Sequence, residues 1–186
     1  SVFHKADQIR DYCGDGSRWN VKISYIQEET PCGTAGALSL IEDRPRDYFL
    51  IMNADILTNI AFANLIDFHS QQHMVATMCV YEEMYQIKHG VVNFNGPYVT
   101  NIDEKPIHSY FINAGIYVLN AEVLDMIPKG IHYDMPDLFK NLVHKDMKPA
   151  AYPIRDLWLD IGTIDDYERA QKLVKPDTQK VSKDTP

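Results

Sequence analysis

Two apolar runs, each closed by an aspartate, constrain this chain more than any other feature. The first is Tyr48-Phe49-Leu50-Ile51-Met52-Asn53-Ala54-Asp55, and the second is Leu157-Trp158-Leu159-Asp160-Ile161-Gly162. Both read as buried strands, because a short continuous apolar run bounded by turn residues suits a strand covered on both faces. In an open α/β sheet, ligands bind outside the carboxyl ends of the strands. A carboxylate that follows such a strand is therefore placed at a site. Asp55 and Asp160, about a hundred residues apart, can converge on one hard cation such as Mg²⁺, which takes oxygen ligands. Each also suits a plain cap on the next turn or helix, since aspartate is a favoured cap.

The 186 residues fit one domain, and 45% hydrophobic content suits a packed core. We expect a domain over 1–174 and a polar tail over 175–186. No run approaches the roughly 20 apolar residues of a membrane span, and no signal peptide opens the chain. A net charge of −8 argues against a nucleic-acid surface, which would be basic. Binding a phosphate would then need local lysines, backbone N–H groups or a metal. Cys13, Cys32 and Cys79 are odd in number and lack metal-ligand spacing. They read as reduced thiols of a cytoplasmic protein.

Helix and strand signals alternate along the chain. Helices are expected at Lys5–Tyr12, from Thr34 to Ile41, from Thr58 or Asn59 to Gln72, from Asp134 with Pro136 to His144, and from Thr163 to Val174. Thr163 with Asp166 has the spacing of a capping box. Strands are expected at Val21–Ile26, Tyr48–Asn53, Met74–Tyr81, Phe111–Leu119 and Ala151–Ile154. A hairpin is expected from Gly90–Phe94 to Tyr98–Ile102 across Asn95-Gly96. The alternation predicts an α/β sheet, mostly parallel and flanked by helices.

Several short motifs fall at the ends of these elements. Glu28 to Leu38 includes Gly33-Thr34-Ala35-Gly36, a glycine turn that follows a strand and enters a helix. Such glycines let backbone approach a ligand closely, and the stretch is equally a tight turn with a cap. His89-Gly90-Val91-Val92 precedes Glu104-Lys105-Pro106 by one hairpin. A Glu-Lys pair there offers an acceptor for hydroxyls and a donor for phosphate, or a solvated turn. Asn113-Ala114-Gly115 breaks an apolar strand, as a bulge or close ligand contact would.

In order, Gly33-Thr34-Ala35-Gly36, Asn53-Ala54-Asp55, His89-Gly90-Val91-Val92, Glu104-Lys105-Pro106, Asn113-Ala114-Gly115-Ile116-Tyr117 and Trp158-Leu159-Asp160-Ile161-Gly162-Thr163 form a series. That series resembles the sugar-1-phosphate nucleotidyltransferases, from about Phe3 to Leu173. Met135-Pro136-Asp137-Leu138-Phe139 and Tyr152-Pro153-Ile154 point to the mannose-1-phosphate guanylyltransferase-like branch. The resemblance implies a Rossmann-like fold and a reaction of nucleoside triphosphate with sugar 1-phosphate, giving a nucleotide-diphospho-sugar and pyrophosphate. Direct attack on the α-phosphorus implies catalysis by positioning and charge neutralisation. By resemblance, Asp55 and Asp160 hold Mg²⁺, and Lys105 contacts the sugar phosphate. Glu104 accepts from sugar hydroxyls, Gly90 and Asn113 line the sugar pocket, and Gly33 lies against the base. Glu28 stands where thymine- or uracil-selecting relatives are expected to carry Gln. A carboxylate accepts only, which suits the N1–H and 2-amino donors of guanine and favours GTP.

The family begins with a strand and a Gly-rich loop that cradles the triphosphate and carries an arginine. By resemblance this chain starts some fifty residues later, so the sheet is expected to miss its first two strands. A sheet short of two central strands has unpaired edges, which raises the expectation of a homo-oligomer, and the chain alone is expected to lack turnover. A non-catalytic module for sugar phosphate or nucleotide sugar is the alternative. A glycosyltransferase is a third, less favoured by Glu104-Lys105-Pro106 and Trp158–Thr163.

Overall fold

The computed structural model describes residues 1–174 and shows a mixed α/β fold. The helices are α1 (Ala6–Cys13), α2 (Gly33–Gly36), α3 (Phe62–Gln71), α4 (Met135–His144) and α5 (Ile164–Leu173). The strands are β1 (Tyr48–Met52), β2 (Ile56–Thr58), β3 (Ala76–Gln86), β4 (Val91–Asn95), β5 (Tyr98–Asp103), β6 (Ile107–Asn120), β7 (Ala150–Ile154) and β8 (Trp158–Asp160). Four strands form a sheet in the order β1-β6-β3-β7, while β2 pairs with β8 and β4 with β5. The tail expected over 175–186 lies outside the described residues. No helix among the described residues is long and apolar enough to cross a membrane.

The chain divides into two compact units. One comprises Ser1–Ile51, Ala63–Met78 and Tyr117–Ala151; the other comprises Met52–Phe62, Cys79–Ile116 and the chain from Tyr152 onward. The first unit holds the main hydrophobic cluster. Its helix α4 buries Met135, Leu138, Phe139 and Leu142, the i, i+3, i+4, i+7 stripe of an amphipathic helix. These pack with Tyr117, Leu119, Val123 and Leu124, and each fully buried side chain contributes roughly 1.5–3 kcal/mol. Asp134 is the residue that opens α4, with proline in its first turn.

Two sequence expectations are corrected by the structure. Val21–Ile26 alternates like a strand but forms none; its stretch ends in a single parallel bridge between Val2 and Gln27. Alternation marks a candidate strand, and without a neighbour to complete the ladder the segment stays irregular. The helix expected from Thr58 or Asn59 begins only at Phe62, because Thr58 pairs with Trp158 in β2–β8 and its hydroxyl donates to Leu157 O at 2.7 Å. His69, on the last turn of α3, is buried at 1% exposure. Its ring nitrogens lie 2.8 Å from Thr77 Oγ1 and 3.0 Å from Asn120 Oδ1, which satisfies both polar ends inside the core.

In the second unit the β4–β5 hairpin pairs Asn95 with Tyr98. The connecting residues are thus Gly96-Pro97 rather than Asn95-Gly96. Gly96 has φ 56°, the conformation a first turn position needs, and proline suits the second with its fixed negative φ. Helix α5 starts with the expected capping box. Thr163 Oγ1 accepts from Asp166 N, and Asp166 Oδ2 accepts from Thr163 N, both at 3.2 Å.

Candidate functional site

The two aspartates meet in the second unit. β2 and β8 are antiparallel, with Ile56 opposite Asp160 and Thr58 opposite Trp158. The pairing continues one step further, since Ile161 N donates to Asp55 O at 2.8 Å. Asp55 therefore sits at the start of one strand of the pair and Asp160 at the end of the other. Partial desolvation pushes the Asp160 carboxyl above the usual carboxylate range, and the negative charges of Asp55 and then Asp166 add to the shift. The Asp55 charge is thus felt at Asp160. Among the described residues no group of three or more His, Cys, Asp or Glu side chains converges as a metal cage. A pair of carboxylates suits Mg²⁺, which keeps several waters and is often held by one or two carboxylates. A cation between them would also relieve the repulsion that raises Asp160.

Each acid-bearing segment is tied to the Asn113-Ala114-Gly115 bend of β6. Asn53 N donates to Gly115 O at 2.9 Å. The Trp158 indole Nε1–H donates to Ala114 O at 2.8 Å. Gly115 has φ 69°, and a Cβ there would lie 2.9 Å from Asn53 Nδ2; glycine suits both the positive φ and the close approach. Asn113 Oδ1 accepts from Gly115 N at 3.1 Å, so this polar side chain braces the backbone within β6, which runs unbroken through it. Trp158 stacks on Tyr81, with centroids 4.9 Å apart and planes at 28°. Tyr85 is more than half exposed and leans on Tyr110 instead.

Gly90 and Glu104 are also brought together. A Cβ on Gly90 would meet Glu104 Oε2 at 2.9 Å, so the glycine gives the carboxylate its room. Lys105 is exposed and has φ 49°. Its backbone conformation is one that few non-glycine residues adopt.

Glu28 and Gly33 lie in the first unit. Glu28 Oε2 accepts from Cys32 N at 2.9 Å, bracing the turn. Burial and the nearby Glu28 carboxylate both raise the Cys32 thiol, which marks it as a packed, protonated sulfur. Gly33 has φ 76°, and a Cβ would lie 2.6 Å from Asp134 Oδ1 and 2.8 Å from Tyr133 O. The glycine turn thus closes on the segment before α4. Ala35 N and Gly36 N both donate to Tyr133 O, at 3.0 and 2.8 Å, and Tyr133 N donates to Cys32 O at 2.8 Å. Thr34 N donates to Asp134 Oδ1 at 2.9 Å, and Thr34 Oγ1 accepts from Met135 N at 2.8 Å. The sequence places Thr34 at the start of its own helix. It lies inside α2 and supplies an oxygen to the first turn of α4, while Asp134 spends its carboxylate on Thr34.

Sequence reasoning singled out the two acids but missed what holds them. In the sequence, Asn53 and Trp158 stand out as members of their apolar runs and motifs, not as partners of Asn113-Ala114-Gly115. The signal was present: each stands two residues before its aspartate, and the Asn-Ala-Gly interruption of β6 needed partners.

Solved structures share this architecture. HddC from Yersinia pseudotuberculosis, complexed with GMP-PN, superposes with a TM-score of 0.64 at 22% identity, covering 94% of this chain and 77% of that one. The sequence matches the family described as nucleotidyl transferase over residues 2–176, and the chain belongs to that family. It is 31% identical to a UTP–glucose-1-phosphate uridylyltransferase of Synechocystis, covering 91% of this chain and 49% of the relative. It is also 31% identical to a mannose-1-phosphate guanyltransferase of Schizosaccharomyces pombe, covering 80% of this chain and 43% of the relative. The chain spans about half the length of these curated relatives.

Proposed function

We propose that this chain carries the paired-acid core of a sugar-1-phosphate nucleotidyltransferase. The reaction joins a nucleoside triphosphate to a sugar 1-phosphate and releases pyrophosphate. The observation that carries the reading is the Asp55–Asp160 pair, pinned to one strand ladder and coupled in charge. Asp55 and Asp160 would hold Mg²⁺, which when bound neutralises phosphate charge. Lys105 would meet the sugar phosphate, Glu104 with Gly90 the sugar hydroxyls, and Asn113 the rim of the sugar pocket. Catalysis would then rest on orientation and charge placement, without a covalent enzyme intermediate. Because the chain spans about half of its relatives, the activity is proposed for the protein that carries the whole domain. The 186 residues alone are expected to show no turnover.

The nucleotide we favour is GTP. Glu28 is held at the glycine turn by its bond to Cys32 N, with acceptor capacity left for the two donors of the guanine edge. Glu28→Gln in the whole protein should lower kcat/KM for GTP relative to UTP by about 10- to 100-fold, the worth of a hydrogen bond to a charged group. An unchanged ratio would remove the guanine assignment. The broader reading is tested by pyrophosphate release across pairs of nucleoside triphosphates and sugar 1-phosphates. No release with any pair, alongside retained binding of nucleotide sugar, would favour a binding module instead. Three free thiols, with Cys79 pushed up to about 12 by burial, fit a reducing cytoplasm.

A further inference from the structure

We infer that the Asn113-Ala114-Gly115 bend is a positioning element that sets the spacing of Asp55 and Asp160, with the Trp158 indole N–H as its strut. The inference rests on the reading of those aspartates as a cation site and deepens it. Four observations carry it. Gly115 O holds Asn53 N, and Ala114 O holds Trp158 Nε1. Asn53 and Trp158 each stand two residues upstream of an acid. Consecutive carbonyls of one bend therefore grip both acid-bearing segments at equivalent places. Downstream, the Ile161–Asp55 hydrogen bond and the Ile56–Asp160 pairing join the same segments again.

The result is a closed ring: Asn53 to Asp55, across the ladder to Asp160, back to Trp158, and through Ala114 and Gly115 to Asn53. A ring closed by hydrogen bonds on both sides leaves the two carboxylates little freedom to drift apart under their mutual repulsion. Gly115 makes the bend geometrically available, since its φ of 69° strains any side chain and a Cβ would crowd Asn53 Nδ2 at 2.9 Å. Asn113 holds the bend from within. Trp158 is then more than packing. Its ring is already held by the stack on Tyr81, so the N–H bond to Ala114 is the separable, positional part of its role.

Trp158→Phe separates the two parts, because it keeps a ring for Tyr81 and deletes the N–H. Mn²⁺, read by the electron paramagnetic resonance signal of the free ion, serves as the probe on the 186-residue chain. The unsubstituted chain should bind Mn²⁺, Asp160→Asn should lose it, and Trp158→Phe should weaken it about tenfold, as loss of a partner behind a metal ligand does. Equal affinity in Trp158→Phe and the parent chain, with Asp160→Asn impaired, overturns the strut and leaves the two-acid reading standing. No Mn²⁺ binding by the parent chain overturns that reading and the strut with it. A second measurement needs no change at residue 158. Coupling is reciprocal, so a strut that favours the cation must itself be favoured by it. In a Trp19→Phe chain, which has a single indole, Mg²⁺ should slow hydrogen exchange of the Trp158 Nε1–H several-fold. An exchange rate indifferent to saturating Mg²⁺ overturns the inference even if Trp158→Phe does not fold.

Discussion

Gly33→Ala tests the glycine turn most directly, and the chain contains its own control. Gly33 and Gly130 have nearly the same φ, 76° and 70°. A side chain in that region costs about 1–2 kcal/mol, offset by roughly 0.4–1 kcal/mol from a less flexible unfolded chain. Gly130→Ala meets nothing within 4 Å, so it should lose only that difference. At Gly33 the new Cβ would press on Asp134 Oδ1 at 2.6 Å and on Tyr133 O at 2.8 Å. Tyr133 O cannot retreat freely, because it accepts from both Ala35 N and Gly36 N, and Asp134 Oδ1 accepts from Thr34 N. Two neutral bonds at about 0.5–1.5 kcal/mol each and one to a carboxylate at about 1.5–3 kcal/mol would be stretched together. Partial loss of all three makes Gly33→Ala about 3 kcal/mol less stable than Gly130→Ala. For a chain of this length that is roughly 6–12 °C in melting temperature. Thermal melts by circular dichroism, run on both variants at one protein concentration, read the difference. Melting temperatures that agree within about 1 °C, well under the expected gap, would refute the close approach and return Gly33 to an ordinary turn.

Two further outcomes are expected. Asp160 is raised in the folded chain, so the folded state binds its proton more tightly than the unfolded state; stability then falls as pH rises from 3.8 through the raised value. Asp160→Asn should therefore raise the melting temperature at pH 7 relative to the parent chain without metal, and a drop would contradict the desolvation and the Asp55 repulsion that raise the Asp160 carboxyl. Thr163→Ala removes the capping box of α5 and should cost about 1 kcal/mol in urea unfolding, whereas Thr163→Ser should cost a few tenths, since the hydroxyl does the capping.

Local features were legible in the sequence and long-range ones were not. The Thr163–Asp166 box and the start of α4 were readable because cap and helix lie within a few residues of each other. The neighbourhood of Asp55 and Asp160 was legible only in part: each follows an apolar run, but the two segments meet across the antiparallel β2–β8 pair rather than at the ends of two buried parallel strands. The start of α3 was misplaced because β8, a hundred residues away, recruits Thr58 into a ladder. Val21–Ile26 failed for the complementary reason, since a strand exists only where a partner does. Thr34 and Asp134 each look like the cap of their own helix. Only the fold shows that each serves the other's neighbourhood.

The bonds from Thr34 to Asp134 and from Thr58 to Leu157 span 100 and 99 residues. A ribosome adding roughly 5–20 residues per second needs about 5–20 s to reach the second half of either pair. During that interval the glycine turn and the first acid-bearing strand are outside the exit tunnel without the contacts that shape them. Slow codons or a holding chaperone between these points would act on a nascent chain whose Thr34 and Thr58 still lack these partners.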